Sequence, residues 1–187
     1  MKRFFVWAHR GASALAPENT LAAFRAAEAG GADGLELDVQ LSRDGVPVVL
    51  HDATVDRTSD GRGAVAELTL TELRRLDVGT WFAPAFAGER LPTLEEVLAW
   101  GGRRLRFNIE IKDAAAGQAV LQQVRCHPRT AVLVSSFDHE ATGVSAPYSA
   151  ASGAGLSLSG DDLAGGDRTC GGLPGRELSP PLRHPLP

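Results

Sequence analysis

The sequence predicts an α/β fold built on a parallel sheet, and three observations carry that expectation. Short apolar runs alternate with helical patterns from the start of the chain to about residue 137, the rhythm of strand–helix–strand units laid side by side. Two of the runs, GLELDVQLS at 34–42 and RLRFNIEIK at 104–112, alternate strictly, so each has one face suited to a core and one that carries charge. Two others, FFVWAH and VPVVLH, end on a histidine, and the carboxyl ends of parallel strands are where sites assemble in such folds. The sheet is either closed into a barrel or open and doubly wound. An antiparallel sheet with one solvated face would also alternate, but the intervening helical patterns need strands covered on at least one side.

The elements follow in order. Residues 4–8 form the first strand. PENTLAAFRAAEAGG then reads as a helix, with Asn19 or Thr20 as cap, Leu21, Phe24 and Ala27 at helical spacing, and Gly30–Gly31 as the stop. The strand GLELDVQLS is followed by the turn residues Arg43, Asp44 and Gly45 and by a third strand, VPVVLHD. Residues 52–92 interrupt the rhythm: RTSDGRGAV is rich in turn formers, LTLTELRRL is a short capped helix and GTWFAPAFAGERLP is loop. They read as an insertion. The rhythm resumes with helix TLEEVLAWGG, strand RLRFNIEIK, helix GQAVLQQVRCH and a fifth strand, AVLVSSF.

Composition narrows the function. The chain has 187 residues, 43% hydrophobic and 22% charged, enough for one core. A net charge of −4 and a pI near 5.7 provide no basic footprint for a phosphate backbone, so nucleic acid is not an expected partner. No apolar stretch reaches the length of a membrane span, and the opening MKRFFVWAHRG is too short in its apolar part for a signal peptide. A cytoplasmic protein is the expectation. Cys126 and Cys170 match no zinc spacing or disulfide framework.

The alternating strands carry the chemistry. Leu35, Leu37, Val39 and Leu41 share one face, and Glu36, Asp38 and Gln40 the other. In the later strand Leu105, Phe107, Ile109 and Ile111 alternate with Arg106, Asn108, Glu110 and Lys112. In a parallel sheet with helices on its apolar face, three carboxylates and a lysine converge inside, where an unpaired charge costs several kcal/mol, on the order of 3–5. A bound cation would remove that cost. Glu36, Asp38 and Glu110 offer oxygen alone, which suits a hard ion such as Mg²⁺ or Ca²⁺ better than zinc. His9 and His51 are acid–base candidates. Arg10 could clamp a phosphoryl oxygen with two parallel hydrogen bonds, and Gly11 allows the sharp turn beside it.

Taken together, HRGASALAPENTLAAF, GLELDVQLSRDGVPVVLHDATVDRTSDGRG, LTLTELRRLD, LPTLEEVL, NIEIK and VLVSSF resemble the successive signatures of the glycerophosphodiester phosphodiesterase family over roughly residues 4–140, and so many segments in order are far more specific than one motif. The resemblance implies a TIM-type (β/α)8 barrel with a small subdomain inserted after the third strand. It also implies a place in lipid and glycerol metabolism, through divalent-metal-dependent hydrolysis of glycerophosphodiesters to glycerol 3-phosphate and an alcohol. By the same resemblance His9 and His51 are the catalytic pair, Arg10 and Lys112 bind the substrate phosphate, and Glu36, Asp38 and Glu110 hold Mg²⁺ or Ca²⁺. The expected partner is a small glycerophosphodiester. A lysophospholipase D-type activity of the same family stays open, since these motifs define the phosphodiester centre and not the headgroup pocket.

The expected barrel stops early. About five of its strands lie within residues 1–141, and the remaining three have no counterpart. From Thr142 to Pro187 there are nine glycines, six prolines and six serines in 46 residues, without strand or helix period, a low-complexity composition expected to be disordered. Only Lys2 and Lys112 are lysine among the 19 basic residues. That arginine bias fits GC-rich coding and motivates the expectation of a frameshift near 142. An inactive remnant, binding at most a divalent cation, is therefore the competing reading. The strands at 4–8 and 131–136 are expected to be open edges.

Overall fold

The computed structural model describes residues 4–136 and 154–158. Six strands form one sheet: β1 (Trp7–His9), β2 (Gly34–Leu41), β3 (Pro47–Val49), β4 (Arg106–Ile111), β5 (Ala131–Ser136) and β6 (Ala154–Leu158). They lie in the order β1-β2-β4-β5-β6, with β3 joined to β2. β1, β2, β4 and β5 run parallel. The helices α1 (Leu21–Ala29), α3 (Leu94–Gly101) and α4 (Gly117–Cys126) are the crossovers between them, and α2 (Leu70–Leu73) lies between β3 and α3.

Local chemistry starts the helices. Of the two cap candidates of α1 it is Thr20 whose hydroxyl accepts from the Ala23 N–H, at 3.2 Å. Thr93 and Glu96 close a reciprocal capping box on α3, as Thr69 and Glu72 do on α2. The apolar faces of the alternating strands then bury as expected. Leu35, Leu37, Val39, Phe107, Ile109 and Ile111 pack against Phe24 and Ala27 of α1, Leu94, Val97 and Leu98 of α3, and Val120 and Val124 of α4. Burying each large side chain contributes about 1.5–3 kcal/mol, which fixes the polar faces on the opposite, inner side of the sheet.

Residues 52–92, expected to be an insertion, are more than a loop and pack with the β3 hairpin. Val48, Leu50, Val55, Val65, Leu73, Val78 and Leu91 form a second apolar cluster, and a 3₁₀ turn at Pro84–Phe86 sits in the stretch expected to be irregular. The unit is pinned to the barrel side by Glu89, whose Oε1 accepts from the Ala22 N–H at 3.2 Å, and by the Arg74–Glu96 ion pair.

Four expectations need correction. The third strand is present, but β3 runs antiparallel to β2, pairing Val39 with Val49 and Leu41 with Pro47. The tight turn at 42–45, closed by the Ser42 hydroxyl on Asp44 and by Gly45 at φ 78°, can return the chain only antiparallel. The first strand pairs at Trp7–His9 rather than from residue 4, and Phe4, Val6 and Trp7 stay exposed. β1 has β2 as its one strand partner among the described residues, whereas the outer edge of β5 is covered by β6, a strand in a stretch expected to hold none. An unpaired row of backbone groups on β5 is what such a strand satisfies. Finally, Cys126 is disulfide-bonded. The rest of the expected low-complexity stretch lies outside the described residues.

Candidate active site

Strand register assembles the inner face. His9 lies opposite Glu36 and Glu36 opposite Asn108, while one row further along Asp38 lies opposite Glu110 and Glu110 opposite Ser135. Residues two apart on one strand share a face, so these two rows place Glu36, Asp38 and Glu110 in one patch, with ligand oxygens within 4.8 Å of one another. Asp38 is 1% exposed and Glu36 8%.

Basic side chains surround this patch. The Lys112 ammonium lies 2.5 Å from Glu110 Oε1 and 3.2 Å from Asp38 Oδ1. Burial works against its charge, but Glu110 and Asp38 outweigh burial and raise its pKa. Arg10 Nε is 3.3 Å from Asp38 Oδ2, and His9 Nε2 is 3.8 Å from Glu36 Oε2. The Arg10 backbone N–H donates to the Glu36 carboxylate at 3.0 Å, which requires the turn that follows β1. Arg10 itself has φ 58° and Gly11 φ 80°, and a Cβ on Gly11 would sit 2.8 Å from Ala23. Glycine is the residue that combines that backbone with that close approach.

Glu36 is the least satisfied member. Its Oε1 is buried with no hydrogen-bond partner. Burial first, then the neighbouring Asp38 and Glu110, push its pKa up to about 7 from an ordinary 4.5, against the Arg10 N–H. A buried, partnerless carboxylate oxygen beside two more carboxylates is the donor set of a hard divalent cation, so the residues present fit such an ion.

His51 arrives by a different route from the one its strand suggested. β2 runs on beyond β1, which pairs only as far as Glu36, and β3 folds back along that same edge, opposite β4, so that Val39 pairs with Val49 on one side and Ile111 on the other. The Leu50 N–H donates to the Asp38 carbonyl at 3.0 Å and Gln40 Nε2 to the His51 carbonyl at 3.0 Å. The hairpin thus sets Leu50 level with Asp38, with the histidine next in sequence. Nδ1 of His51 lies 2.6 Å from Asp52 Oδ1.

The sequence reasoning missed four polar residues here. Asn19, taken as a possible helix cap, instead brackets Asp38: its amide donates to Oδ2 at 2.8 Å and its carbonyl accepts from the Asp38 N–H at 3.4 Å. Its φ of 57° is one that Asn tolerates better than most residues. Glu18, Asp52 and Arg57 form an ion-pair bridge between His51 and Arg10. The signal for them was local: PEN precedes the first helix and HDATVDR follows β3, each placing charge next to a residue already singled out.

Comparisons with known proteins identify the family. A model of the glycerophosphoryl diester phosphodiesterase family matches residues 9–140. The putative glycerophosphodiester phosphodiesterase YhdW of Bacillus subtilis is 49% identical over 120 residues, which are 64% of this chain and 49% of that protein. Solved structures of a glycerophosphodiester phosphodiesterase from Agrobacterium tumefaciens and of an Oleispira antarctica phosphodiesterase, the latter in complex with the product sn-glycerol-3-phosphate, are also similar. The first has TM-score 0.69 and 39% identity over 74% of this chain and 60% of that one, the second TM-score 0.68 and 38% identity over 73% and 58%. The chain spans about half the length of the curated relatives it matches. Its sheet and crossover helices build part of the (β/α)8 barrel that the sequence led us to expect. Among the described residues no helix is long and apolar enough to cross a membrane. With a family model matched over residues 9–140 and solved relatives of the same fold, the chain belongs to the glycerophosphoryl diester phosphodiesterase family.

Proposed function

We propose that this chain carries the phosphodiester-binding centre of an enzyme that hydrolyses glycerophosphodiesters to glycerol 3-phosphate and an alcohol. The observation that supports it is the oxygen-only cluster of Glu36, Asp38 and Glu110, within 4.8 Å, flanked by Arg10 and Lys112. Mg²⁺ or Ca²⁺ held by those three carboxylates would supply Lewis-acid stabilisation of charge on the phosphoryl group. Arg10 and Lys112 bind the non-bridging oxygens of the phosphodiester, Arg10 with the planar fork that matches two of them. Of His9 and His51, one takes the proton of the attacking hydroxyl and the other returns a proton to the leaving alkoxide. His9, with its side chain 69% exposed, is open to substrate and solvent. His51 carries its carboxylate partner on Nδ1, which leaves Nε2 for the reaction.

The test is turnover of glycerophosphocholine by the metal-free chain with added Mg²⁺ or Ca²⁺ and in EDTA. We expect hydrolysis that needs the cation, and for Glu110→Gln a higher cation concentration for half-maximal rate. Undiminished hydrolysis in EDTA would remove the metal assignment. Hydrolysis of lysophospholipid in place of glycerophosphocholine would move the substrate to the lipid class.

A further inference from the structure

One residue joins the two parts of the site, and neither the acid–base pair nor the cation cluster uses it. Arg57 donates from Nε to Asp52 Oδ2 at 2.7 Å and from Nη2 to Asp52 Oδ1 at 3.1 Å. The same guanidinium donates from Nη1 to Glu18 Oε2 at 3.1 Å and from Nη2 to Glu18 Oε1 at 2.7 Å. Asp52 Oδ1 is also the atom 2.6 Å from His51 Nδ1, and Glu18 Oε1 also accepts from Arg10 Nη1 at 3.1 Å. An unbroken path of charge-assisted contacts therefore runs from His51 through Asp52, Arg57 and Glu18 to Arg10. Among the described residues no backbone hydrogen bond joins the loop of Glu18 to that of Asp52 directly: each is anchored to β2 at Asp38, through Asn19 and through Leu50, and the guanidinium contacts both carboxylates.

We propose that Arg57 is a positioning residue that holds His51 and Arg10 in mutual register, by fixing the two carboxylates that orient them. The inference rests on the roles given above to His51 and Arg10. Four hydrogen bonds on two carboxylates need the five donors and rigid plane of a guanidinium, and no ammonium can replace them. Arg57 is 44% exposed, and an ion pair at such a site adds little to stability. Its effect is on geometry and proton placement. An ionised Asp52 can only accept, so Nδ1 of His51 must carry a proton, which in the neutral imidazole selects the tautomer with its lone pair on Nε2. The Arg57 hydrogen bonds, joined by that of His51, hold the Asp52 carboxyl at about 2, well below its ordinary value. Burial opposes ionisation of Glu18, and the hydrogen bonds from Arg57 and Arg10 more than offset it.

The experiment reads the ring nitrogens of His51 directly, by long-range ¹H–¹⁵N correlation on the labelled 187-residue chain, with His51→Gln to identify the signals. The parent should show a single tautomer with Nδ1 protonated. Arg57→Ala should give a mixture of tautomers, and Arg57→Lys, which keeps the charge but cannot span both carboxylates, should do the same to a smaller degree. Arg62→Ala removes an arginine 89% exposed and 3.9 Å from its carboxylate and should change nothing. With glycerophosphocholine and Mg²⁺, Arg57→Ala should lose about 10–100-fold in kcat/KM. Glu18→Gln should act mainly on KM, through Arg10, and Asp52→Asn mainly on kcat, through His51. If Arg57→Ala lacks a cooperative unfolding transition, Arg57→Lys decides in the same spectrum. A single unchanged tautomer in the folded Arg57 variants overturns the proposal, whatever the turnover. A parent chain without turnover whose tautomer still responds tells against the phosphodiesterase reading and leaves the positioning role standing.

Discussion

The two parts of the site are held by different forces. Glu36, Asp38, Glu110 and Lys112 sit on or directly after β2 and β4, and their spacing follows from strand register backed by a fully buried layer of Leu35, Leu37, Val39, Phe107, Ile109 and Ile111. His51, Asp52, Arg57 and Glu18 sit on loops that leave the sheet, and their side chains are held to one another by hydrogen bonds that are partly open to solvent. A cluster held by register tolerates burial of like charges because the core pays for it. A cluster held by side chains is as stable as its weakest charge pair, and it is where small changes should alter geometry without unfolding the protein.

The sharpest way to break this comparison is at the histidines, one at the end of a strand and one at the end of a hairpin. His9→Ala and His51→Ala should each lower kcat on the order of 10²–10⁴-fold with a thermal transition close to that of the parent. A substrate with a good leaving group, such as a nitrophenyl ester, should partly restore the variant that has lost the acid. If neither substitution slows turnover beyond a few-fold, both imidazoles are structural.

The strand-held part should fail differently. Ile109 is fully buried between Asn108 and Glu110 in sequence, so Ile109→Ala should cost about 2–5 kcal/mol of stability in denaturant unfolding. Cation affinity should fall with it, because Glu110 rides on the same strand. Unchanged stability would mean that the outer layer does not set the inner one.

The smallest effect concerns the proton on Glu36. Its carboxyl is raised in the fold from 4.5 to about 7, so the unfolded chain releases this proton more readily. The associated stability is fully present below about pH 4.5 and is lost as pH rises towards 7. Metal-free protein should lose stability over that window, and Glu36→Gln should flatten the loss. An identical pH profile for the two proteins would show that Glu36 is not protonated in the fold.

Much of the inner face was legible before folding was considered. Strict alternation in GLELDVQL and RFNIEI sorts Glu36 and Asp38 from Leu35 and Leu37 whatever the neighbouring strand, because a strand has a period of two. The helix starts were legible too, since a capping threonine acts within three residues. Asn19 was harder: its bonds to Asp38 reach across 19 positions, and its local signal is the same as that of a cap. Arg57 was harder still. It lies 39 residues from Glu18, and charged residues in a turn-rich stretch look alike until their partners are in place.

By itself the sequence determined which residues share a face, where helices begin and which side chains have the chemistry for a cation and a phosphodiester, because all of these depend on interactions a few positions apart. The tertiary structure alone decided that β3 runs antiparallel and sets Leu50, the residue before His51, level with Asp38, that Glu36 is buried without a partner at Oε1, and that one guanidinium spans Asp52 and Glu18. Those depend on which strands lie side by side and in what register. Lateral pairing is a contact between distant segments, selected by the burial of the whole apolar layer and not by any one stretch of chain.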